Sequence, residues 1–152
     1  QNFEDQIVYS TVEEDIAFGL ENLELKNSEM VRIVEEMLSK LNIKNLAKSN
    51  VNMLSSGQKQ LVALAGVLAM GPKYLVLDEP TTMLDAKNKK NIIKIMRDLN
   101  EKEGISIFLV TNILDDLRYA NHVIVLKNGS VIFNDKKSKL SKRMLREAGL
   151  DD

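Results

Sequence analysis

The chain of 152 residues contains no cysteine and no tryptophan. Without cysteine it can form no disulfide, no thiolate metal site and no cysteine nucleophile. Two prolines and seven glycines are too few for a low-complexity chain. The formal net charge of −1 gives no excess of positive charge, so we expect no general affinity for nucleic acid. The longest nearly apolar run, Leu61 to Gly71, is far shorter than the roughly 20 residues that cross a bilayer.

The most informative segment begins with four apolar residues, Tyr74 to Leu77, and continues directly into Asp78, Glu79 and Pro80. An unbroken apolar run predicts a strand buried on both faces, as in a parallel sheet covered by helices. Acids at the carboxyl end of such a strand lie where open α/β sheets bind ligands. Adjacent carboxylates there are costly to bury unless a metal or a reaction needs them. An isolated Asp-Glu pair would suit a polar turn equally well, so the neighbouring motifs decide.

The order of predicted elements is helices first, followed by strand, helix, strand, helix and hairpin. Capping boxes at Thr11 with Glu14 and at Ser55 with Gln58 predict two helix starts. The predicted helices cover 12–23, 27–41, 56–70, 86–103, 114–120 and 138–148, and the predicted strands cover 74–78, 105–111, 122–126 and 130–133. The predicted apolar faces consist of Val31, Val34, Leu38 and Leu41 in the second helix, Leu61, Leu64, Ala65 and Leu68 in the third, and Ile92, Ile95, Met96 and Leu99 in the fourth. Asp85 and Gly104 are predicted to cap the fourth helix, and Asn128-Gly129 predicts a type I′ turn in the hairpin. This order predicts an α/β chain with a helical subdomain and part of a parallel-sheet core. By motif it divides into segments 1–72, 73–135 and 136–152.

The heptad Leu54-Ser55-Ser56-Gly57-Gln58-Lys59-Gln60 lies shortly before the acidic strand end, which we define as Asp78 and Glu79. A small, hydroxyl-bearing turn that caps a helix presents backbone N–H groups and the positive end of the helix dipole, which together favour an anion. Serine and glycine also cap many helices that bind nothing. The heptad alone therefore leaves both possibilities open.

Taken together, the heptad and the segment Leu77 to Asp85 resemble the ATP-binding cassette (ABC) family, with its signature motif, Walker B strand and D-loop in this order. The resemblance implies a partial P-loop NTPase fold. It also implies that Asp78 holds Mg²⁺, usually through water, that Glu79 polarises the attacking water, and that Asp85 is the D-loop acid. Such roles suit phosphoryl transfer, which needs a metal, a positioned water and charge stabilisation.

Further segments resemble the ATPases of energy-coupling factor transporters, which import vitamins and metal ions. These segments are Gln1 to Gly19, Ala65 to Met70 and Met83 to Asp85. Gln1 looks like the Q-loop glutamine that links the Mg²⁺ site to the helical subdomain. The resemblance implies a transmembrane partner that binds the helical subdomain and Q-loop, and a location on the cytoplasmic face of the membrane.

The resemblance also implies a second ABC ATPase domain, in a homodimer or heterodimer that sandwiches ATP. Ser55, Ser56, Gly57 and Gln58 would then act on nucleotide held by the partner domain. Asp78, Glu79, Gln1 and the switch residue Asn112 would serve the chain's own site.

Three departures from the family pattern stand out. No Gly-x-x-x-x-Gly-Lys-Ser/Thr P-loop occurs, so we expect the chain to be the second half of a nucleotide-binding domain that alone does not bind ATP tightly. Ser56 replaces the first signature glycine, and its Cβ would crowd an approaching phosphate or strain the backbone. Asn112 replaces the switch histidine; it can hydrogen-bond a γ-phosphate but cannot carry charge or relay a proton.

Two other functions are compatible with parts of the sequence. The chain could be a non-catalytic interaction or regulatory module derived from an ABC ATPase. A DNA-repair ATPase of the same superfamily has less support, because no long heptad pattern for a coiled coil interrupts the helical region. We expect the basic residues from Lys136 to Arg143 to form a solvated face, and His122 to have a structural or surface role.

Overall fold

The computed structural model of the chain describes residues 8–82 and 84–150, and it divides into two compact units between Phe108 and Leu109. The first unit contains α1 (Val12–Glu21), α2 (Asn27–Lys40), α3 (Ser56–Ala69), β1 (Tyr74–Asp78), α4 (Ala86–Glu103) and the start of β2 (Ser106–Val110). The second contains the end of β2, then β3 (His122–Lys127), β4 (Ser130–Lys136) and α5 (Lys142–Ala148). The predicted α/β class, with a small parallel sheet and a hairpin, is confirmed. The three segments predicted by motif remain a prediction.

Helix α1 begins where the sequence predicts, and its first turn is anchored to a later loop. The backbone N–H and the hydroxyl of Thr11 both donate to the carboxylate of Glu14. The N–H groups of Val12 and Glu13 donate to carbonyl oxygens of Ser49 and Ala47, at 3.2 and 3.0 Å. The first turn of a helix leaves such donors without an intrahelical partner, so these contacts fix the direction in which α1 leaves the loop.

Helices α1, α2 and α3 form the helical core of the first unit. The predicted apolar stripe of α3 is confirmed, since Leu61, Leu64, Ala65 and Leu68 are all buried. In α2 the prediction that Val31 faces inward is wrong, because its side chain is 54% exposed. Met37 is buried instead, beside Val34 and Leu38. The buried face of α2 thus lies nearer its C-terminus than the sequence pattern indicated.

Strand β1 pairs with β2 in a parallel two-stranded sheet. The prediction that β1 is buried on both faces is wrong in this chain. Leu75 is 3% exposed, whereas Tyr74 and Val76, on the opposite face, are 77% and 70% exposed. One face of the strand is therefore covered by other elements of the first unit, whereas Tyr74 and Val76 on the opposite face are exposed to solvent.

Helix α4 has the predicted cap at each end. The carboxylate of Asp85 accepts the backbone N–H groups of Lys87 and Asn88. At the other end, Gly104 adopts a left-handed conformation with φ of 70°. The inward residues Ile92, Met96 and Leu99 are buried as predicted, while Ile95 is only half-buried.

In the second unit, β3 and β4 form the predicted antiparallel hairpin. Asn128 and Gly129 have φ of 49° and 76°, as a type I′ turn requires. The C-terminal helix is shorter than the predicted 138–148: residues 137–139 form a 3₁₀ turn, and Ser141 caps α5. Among the described helices, none has both the length and the apolar content to cross a bilayer.

Candidate functional site

The turn at Leu54 to Gln60, which we call the signature turn, forms the N-terminus of α3. Ser55 is the N-cap: its hydroxyl accepts the N–H of Gln58 at 3.3 Å, and its own N–H donates to the side-chain oxygen of Gln58 at 2.9 Å. The predicted capping box is therefore present. Ser55 and Ser56 are exposed, whereas Gly57 is buried and the N–H of Gln58 is bonded to the cap, at a helix end that favours anions.

Ser56 and Gln1 are two predicted site residues, of which the structure describes only Ser56. Ser56 is the first residue of α3, and its backbone is not among those with positive φ. The expectation that a side chain here strains the backbone is therefore wrong, because ordinary helical φ suits any residue that carries a Cβ. Crowding of a phosphate by its Cβ remains a prediction. Gln1, the predicted Q-loop and Mg²⁺ residue, lies outside the described residues.

The acidic strand end consists of Asp78, the last residue of β1, and Glu79, which follows it. Asp78 is exposed, and Glu79 is half-buried with φ of +47°. The left-handed region is unusual for a residue other than glycine, asparagine or aspartate. Thr82 closes this turn, since its N–H donates to the Glu79 carbonyl at 3.3 Å and its hydroxyl to the Glu79 carboxylate at 3.4 Å. The backbone thus changes direction sharply at the predicted catalytic carboxylate.

The signature turn and the segment after β1 are joined at two points. The side-chain amide of Gln60 donates to the carbonyl oxygen of Pro80, which directly follows Glu79. Gly57 is buried, and a Cβ added to it would lie 2.9 Å from the side-chain nitrogen of Asn88. Gly57 thus allows α3 to approach the first turn of α4. These contacts bring the signature turn, the acidic strand end and the start of α4 into one local structure.

The predicted D-loop acid, Asp85, has both carboxylate oxygens engaged at the start of α4. Oδ1 accepts the N–H groups of Lys87 and Asn88 at 2.9 and 2.8 Å. Oδ2 accepts the side-chain amide of Asn88 at 2.9 Å. Asp85 therefore fixes the side chain of Asn88, against which Gly57 packs. This structural role is separate from the predicted role of Asp85 in the D-loop.

Asn112, the predicted switch residue, belongs to the second unit and follows β2. Its side chain is exposed. Its neighbours are fixed: the hydroxyl of Thr111 donates to Asp116 at 2.8 Å and accepts the N–H of Ile113 at 3.0 Å. The local structure thus presents Asn112 to solvent on an anchored turn. His122, predicted to have a structural or surface role, contacts Asn134 across the hairpin at 2.7 Å.

Gln60 and Asn88 contribute to this local structure, but the sequence pattern does not identify them as site residues. Gln60 lies three residues after Gly57, on the same helix face, and immediately before the buried stripe that begins at Leu61. A polar side chain at the edge of a packed stripe signals a specific tertiary partner. Asn88 offered only the general signal of an asparagine in a first helical turn.

The donor chemistry at the acidic strand end suits Mg²⁺ rather than a metal held by protein ligands alone. Throughout residues 8–82 and 84–150, no three His, Cys, Asp or Glu side chains cluster to form a complete metal site. Mg²⁺ commonly keeps several waters and uses one or two carboxylates together with substrate phosphates. One exposed carboxylate at the end of β1, as at Asp78, fits that mode of binding.

Comparison with known proteins defines the class. The model of the family described as ABC transporter matches residues 2–82, more than half of the chain. The chain therefore belongs to the ABC transporter ATPase family, whose members use ATP with Mg²⁺. The predicted family membership is confirmed.

Individual relatives narrow the resemblance to the energy-coupling factor group. The chain is 40% identical to the energy-coupling factor transporter ATP-binding protein EcfA1 of Lactobacillus gasseri, over 99% of this chain and 54% of the relative. It is also 40% identical to EcfA1 of Clostridioides difficile, over 99% of this chain and 55% of the relative. The chain thus spans about half the length of these curated relatives.

Solved structures show the same likeness in three dimensions. The cbiO1 protein of Clostridium perfringens, part of the ABC transporter complex cbiONQ, matches with a TM-score of 0.84 at 34% identity, over 98% of this chain and 61% of that one. A dimeric ATP-binding cassette in a post-hydrolysis state, bound to ADP and Pi, matches with a TM-score of 0.75 at 29% identity, over 86% of this chain and 58% of that one.

Proposed function

We propose that the chain supplies the signature and Walker B half of a nucleotide-binding subunit in an energy-coupling factor type importer. That subunit couples ATP hydrolysis to the uptake of a vitamin or a metal ion through a membrane partner. The observation that carries the proposal is the joining of the signature turn to the acidic strand end within one unit, through Gln60 and Pro80. The names of the similar proteins support the choice of transporter group.

In this proposal the two ends of the local structure serve different nucleotide sites. Ser55, Gly57 and Gln58 act on ATP held by a second ATPase domain, because the N-terminus of α3 favours anions and its Ser55 and Ser56 are exposed. Asp78, Glu79 and Asn112 act at the chain's own site. The similarity to a dimeric cassette supports a second domain as partner. In the proposal, the membrane protein binds the helical subdomain on the cytoplasmic face.

At the chain's own site, Asp78 and Gln1 would hold Mg²⁺, which supplies charge neutralisation to the phosphates when bound. Glu79 accepts a hydrogen bond from the attacking water and orients it. Asn112 donates its amide N–H to the transferred phosphate but provides no charge. Because charge stabilisation is a large part of phosphoryl transfer, we expect this site to hydrolyse ATP slowly.

The substitution Asn112→His in the full-length gene product tests the switch assignment. A histidine can carry a positive charge and move a proton near neutral pH, so we expect a higher kcat for ATP. Asn91→His, at an exposed position on α4, is the matched control and should leave kcat unchanged. An Asn112→His enzyme no faster than this control would contradict the assignment.

Equilibrium titration of the 152-residue chain with ATP and Mg²⁺ tests the prediction that the chain alone does not bind ATP tightly. The sequence contains no P-loop, whose amides and lysine hold the phosphates in this fold. We therefore expect no binding at micromolar ATP. Micromolar affinity would show that the phosphates are held by residues that the proposal does not include.

The alternative of an interaction or regulatory module has one observation in its favour, the uncharged Asn112 at the switch position. It predicts that the full-length gene product binds a partner ATPase or membrane protein but hydrolyses no ATP. Steady-state ATPase measurement on the purified full-length protein therefore decides between the two functions.

A further inference from the structure

The side chain of Gln60 reaches from α3 to the turn that carries the predicted catalytic carboxylate. Its amide N–H donates to the carbonyl oxygen of Pro80, and Pro80 follows Glu79 directly. Pro80 is buried and Gln60 is half-buried, so solvent competes little for this bond. A contact between residues 20 positions apart thus fixes the backbone one peptide beyond Glu79.

The backbone of Glu79 needs such support. Its φ of +47° lies in the left-handed region. This backbone conformation costs free energy for any residue other than glycine, and it persists only where surrounding contacts impose it. Both bonds from Thr82 that close the turn are long, at 3.3 and 3.4 Å. The bond from Gln60 comes from a different element, one that is packed into the helical core. It therefore restrains the turn from outside.

A second contact holds α3 against the same segment. Gly57 lies one helical turn before Gln60. The side chain of Asn88 occupies the space that a Cβ on Gly57 would need. Asn88 is itself held by both oxygens of Asp85, at 2.8 and 2.9 Å. The start of α3 is thus positioned on the start of α4, which places the Gln60 amide within reach of the Pro80 carbonyl.

We propose that Gln60 is a positioning residue for Glu79. By holding the Pro80 carbonyl, it keeps Glu79 in the left-handed conformation that sets the direction of its carboxylate. The inference rests on the proposed function, in which Glu79 orients the attacking water. It adds that the signature turn acts on the chain's own hydrolytic site through Gln60, besides acting on the partner's nucleotide.

The test measures ATP hydrolysis by the full-length gene product with three substitutions at this position. Gln60→Met is neutral, has a similar length and lacks the N–H donor. Gln60→Glu lacks the donor and adds a charge, whereas Gln60→Lys keeps a donor that can reach the carbonyl. Asn91→Asp, on the exposed face of α4, is the control for an amide lost without this contact.

We expect Gln60→Met and Gln60→Glu to lower kcat by about 10- to 100-fold, because a small misplacement of a catalytic group has effects of that size. The KM for ATP should change by less than about threefold, since Glu79 contributes to the transition state rather than to nucleotide binding. Gln60→Lys should recover most of the lost kcat, and Asn91→Asp should match the wild type.

The outcomes separate the two proposals. Wild-type protein without ATPase activity would overturn both the proposed function and the role of Gln60. An active wild type with Gln60→Met as fast as Asn91→Asp would overturn only the role of Gln60. A loss in Gln60→Glu that Gln60→Met does not share would also overturn it, because the added charge and not the missing donor would then be the cause. Circular-dichroism melting of each variant identifies any that fails to fold, and the remaining donor-free variant then carries the comparison.

Discussion

Gly57→Ala should destabilise the first unit, and it should do so through one neighbouring side chain. The added Cβ would lie 2.9 Å from the side-chain nitrogen of Asn88 and 3.1 Å from its Cγ. Contacts this short require Asn88 to move. Asn88 cannot move freely, because its amide donates to Asp85 at 2.9 Å and its backbone N–H to the same carboxylate at 2.8 Å. The substitution therefore either crowds α3 away from α4 or breaks the side-chain bond.

The net effect combines two opposing terms. Overpacking of this kind costs about 1–3 kcal/mol. Alanine in place of glycine in a helix contributes a gain of up to about 1 kcal/mol. We therefore expect Gly57→Ala to lower the free energy of unfolding by about 1 kcal/mol. In an Asn88→Ala background, where the obstructing atoms are absent, the same substitution should be neutral or slightly stabilising.

Urea denaturation of the four proteins in this double-mutant cycle measures the coupling between Gly57 and Asn88, which we expect to be about 1–2 kcal/mol. Gly66→Ala is the matched control on the same helix, since its added Cβ would meet nothing closer than the Asp15 carbonyl at 3.8 Å. That substitution should not destabilise the chain. A coupling energy near zero would refute the contact between the signature turn and α4.

Three further predictions concern the cap of α4, a surface ion pair and the exposed strand face. Asp85→Ala should lower the free energy of unfolding by about 1 kcal/mol in urea denaturation, whereas Asp85→Asn, an equally good N-cap, should change it little; equal losses would mean that charge and not capping matters. The hydrogen bond from Lys102 holds the pKa of Asp98 below its ordinary value of 3.8. The ion pair therefore stabilises the fold at pH values above 3.8, and this stabilisation is lost as the pH falls through the lowered pKa of Asp98. Lys102→Ala should raise the pKa of Asp98 in an NMR titration, and an unchanged pKa would contradict the role of Lys102. Because Tyr74 and Val76 leave an exposed apolar face on β1, we expect the chain to self-associate; replacing both by serine should reduce the association in analytical ultracentrifugation, and unchanged association would contradict this expectation.

Local signals in the sequence predicted much of the secondary structure. The two capping boxes, the Asn128-Gly129 turn and the cap at Asp85 each depend on residues within four positions of one another, so the chain specifies them without tertiary help. The acidic strand end was located in the same way, from an apolar run followed by two acids. The left-handed backbone at Glu79 could not be predicted from the sequence, because the contacts around it include one from Gln60, which is distant in sequence.

The predictions of burial that are wrong have a common physical cause. Whether a side chain is buried depends on which other elements cover it, and these elements are distant in sequence. Strand β1 has the same apolar sequence whether or not its second face is covered, so the exposure of Tyr74 and Val76 could not be predicted. Val31 has helical spacing to the buried face of α2 but lies beyond the area that the neighbouring helices cover. The contact of Gln60 with Pro80 joins two elements whose separation only the tertiary fold sets.

The steady-state ATPase rate of the full-length gene product with Glu79→Gln tests the assignment of the acidic strand end most directly. Glutamine keeps the size of the side chain and an oxygen that can accept a hydrogen bond, but it removes the negative charge and the basicity of the carboxylate toward the attacking water. We expect kcat to fall by about 10²- to 10⁴-fold while ATP binding persists, the range typical of losing a general base. The matched substitution Glu35→Gln, at an exposed position on α2, should leave the rate unchanged. A Glu79→Gln enzyme that hydrolyses ATP as fast as Glu35→Gln would contradict the account.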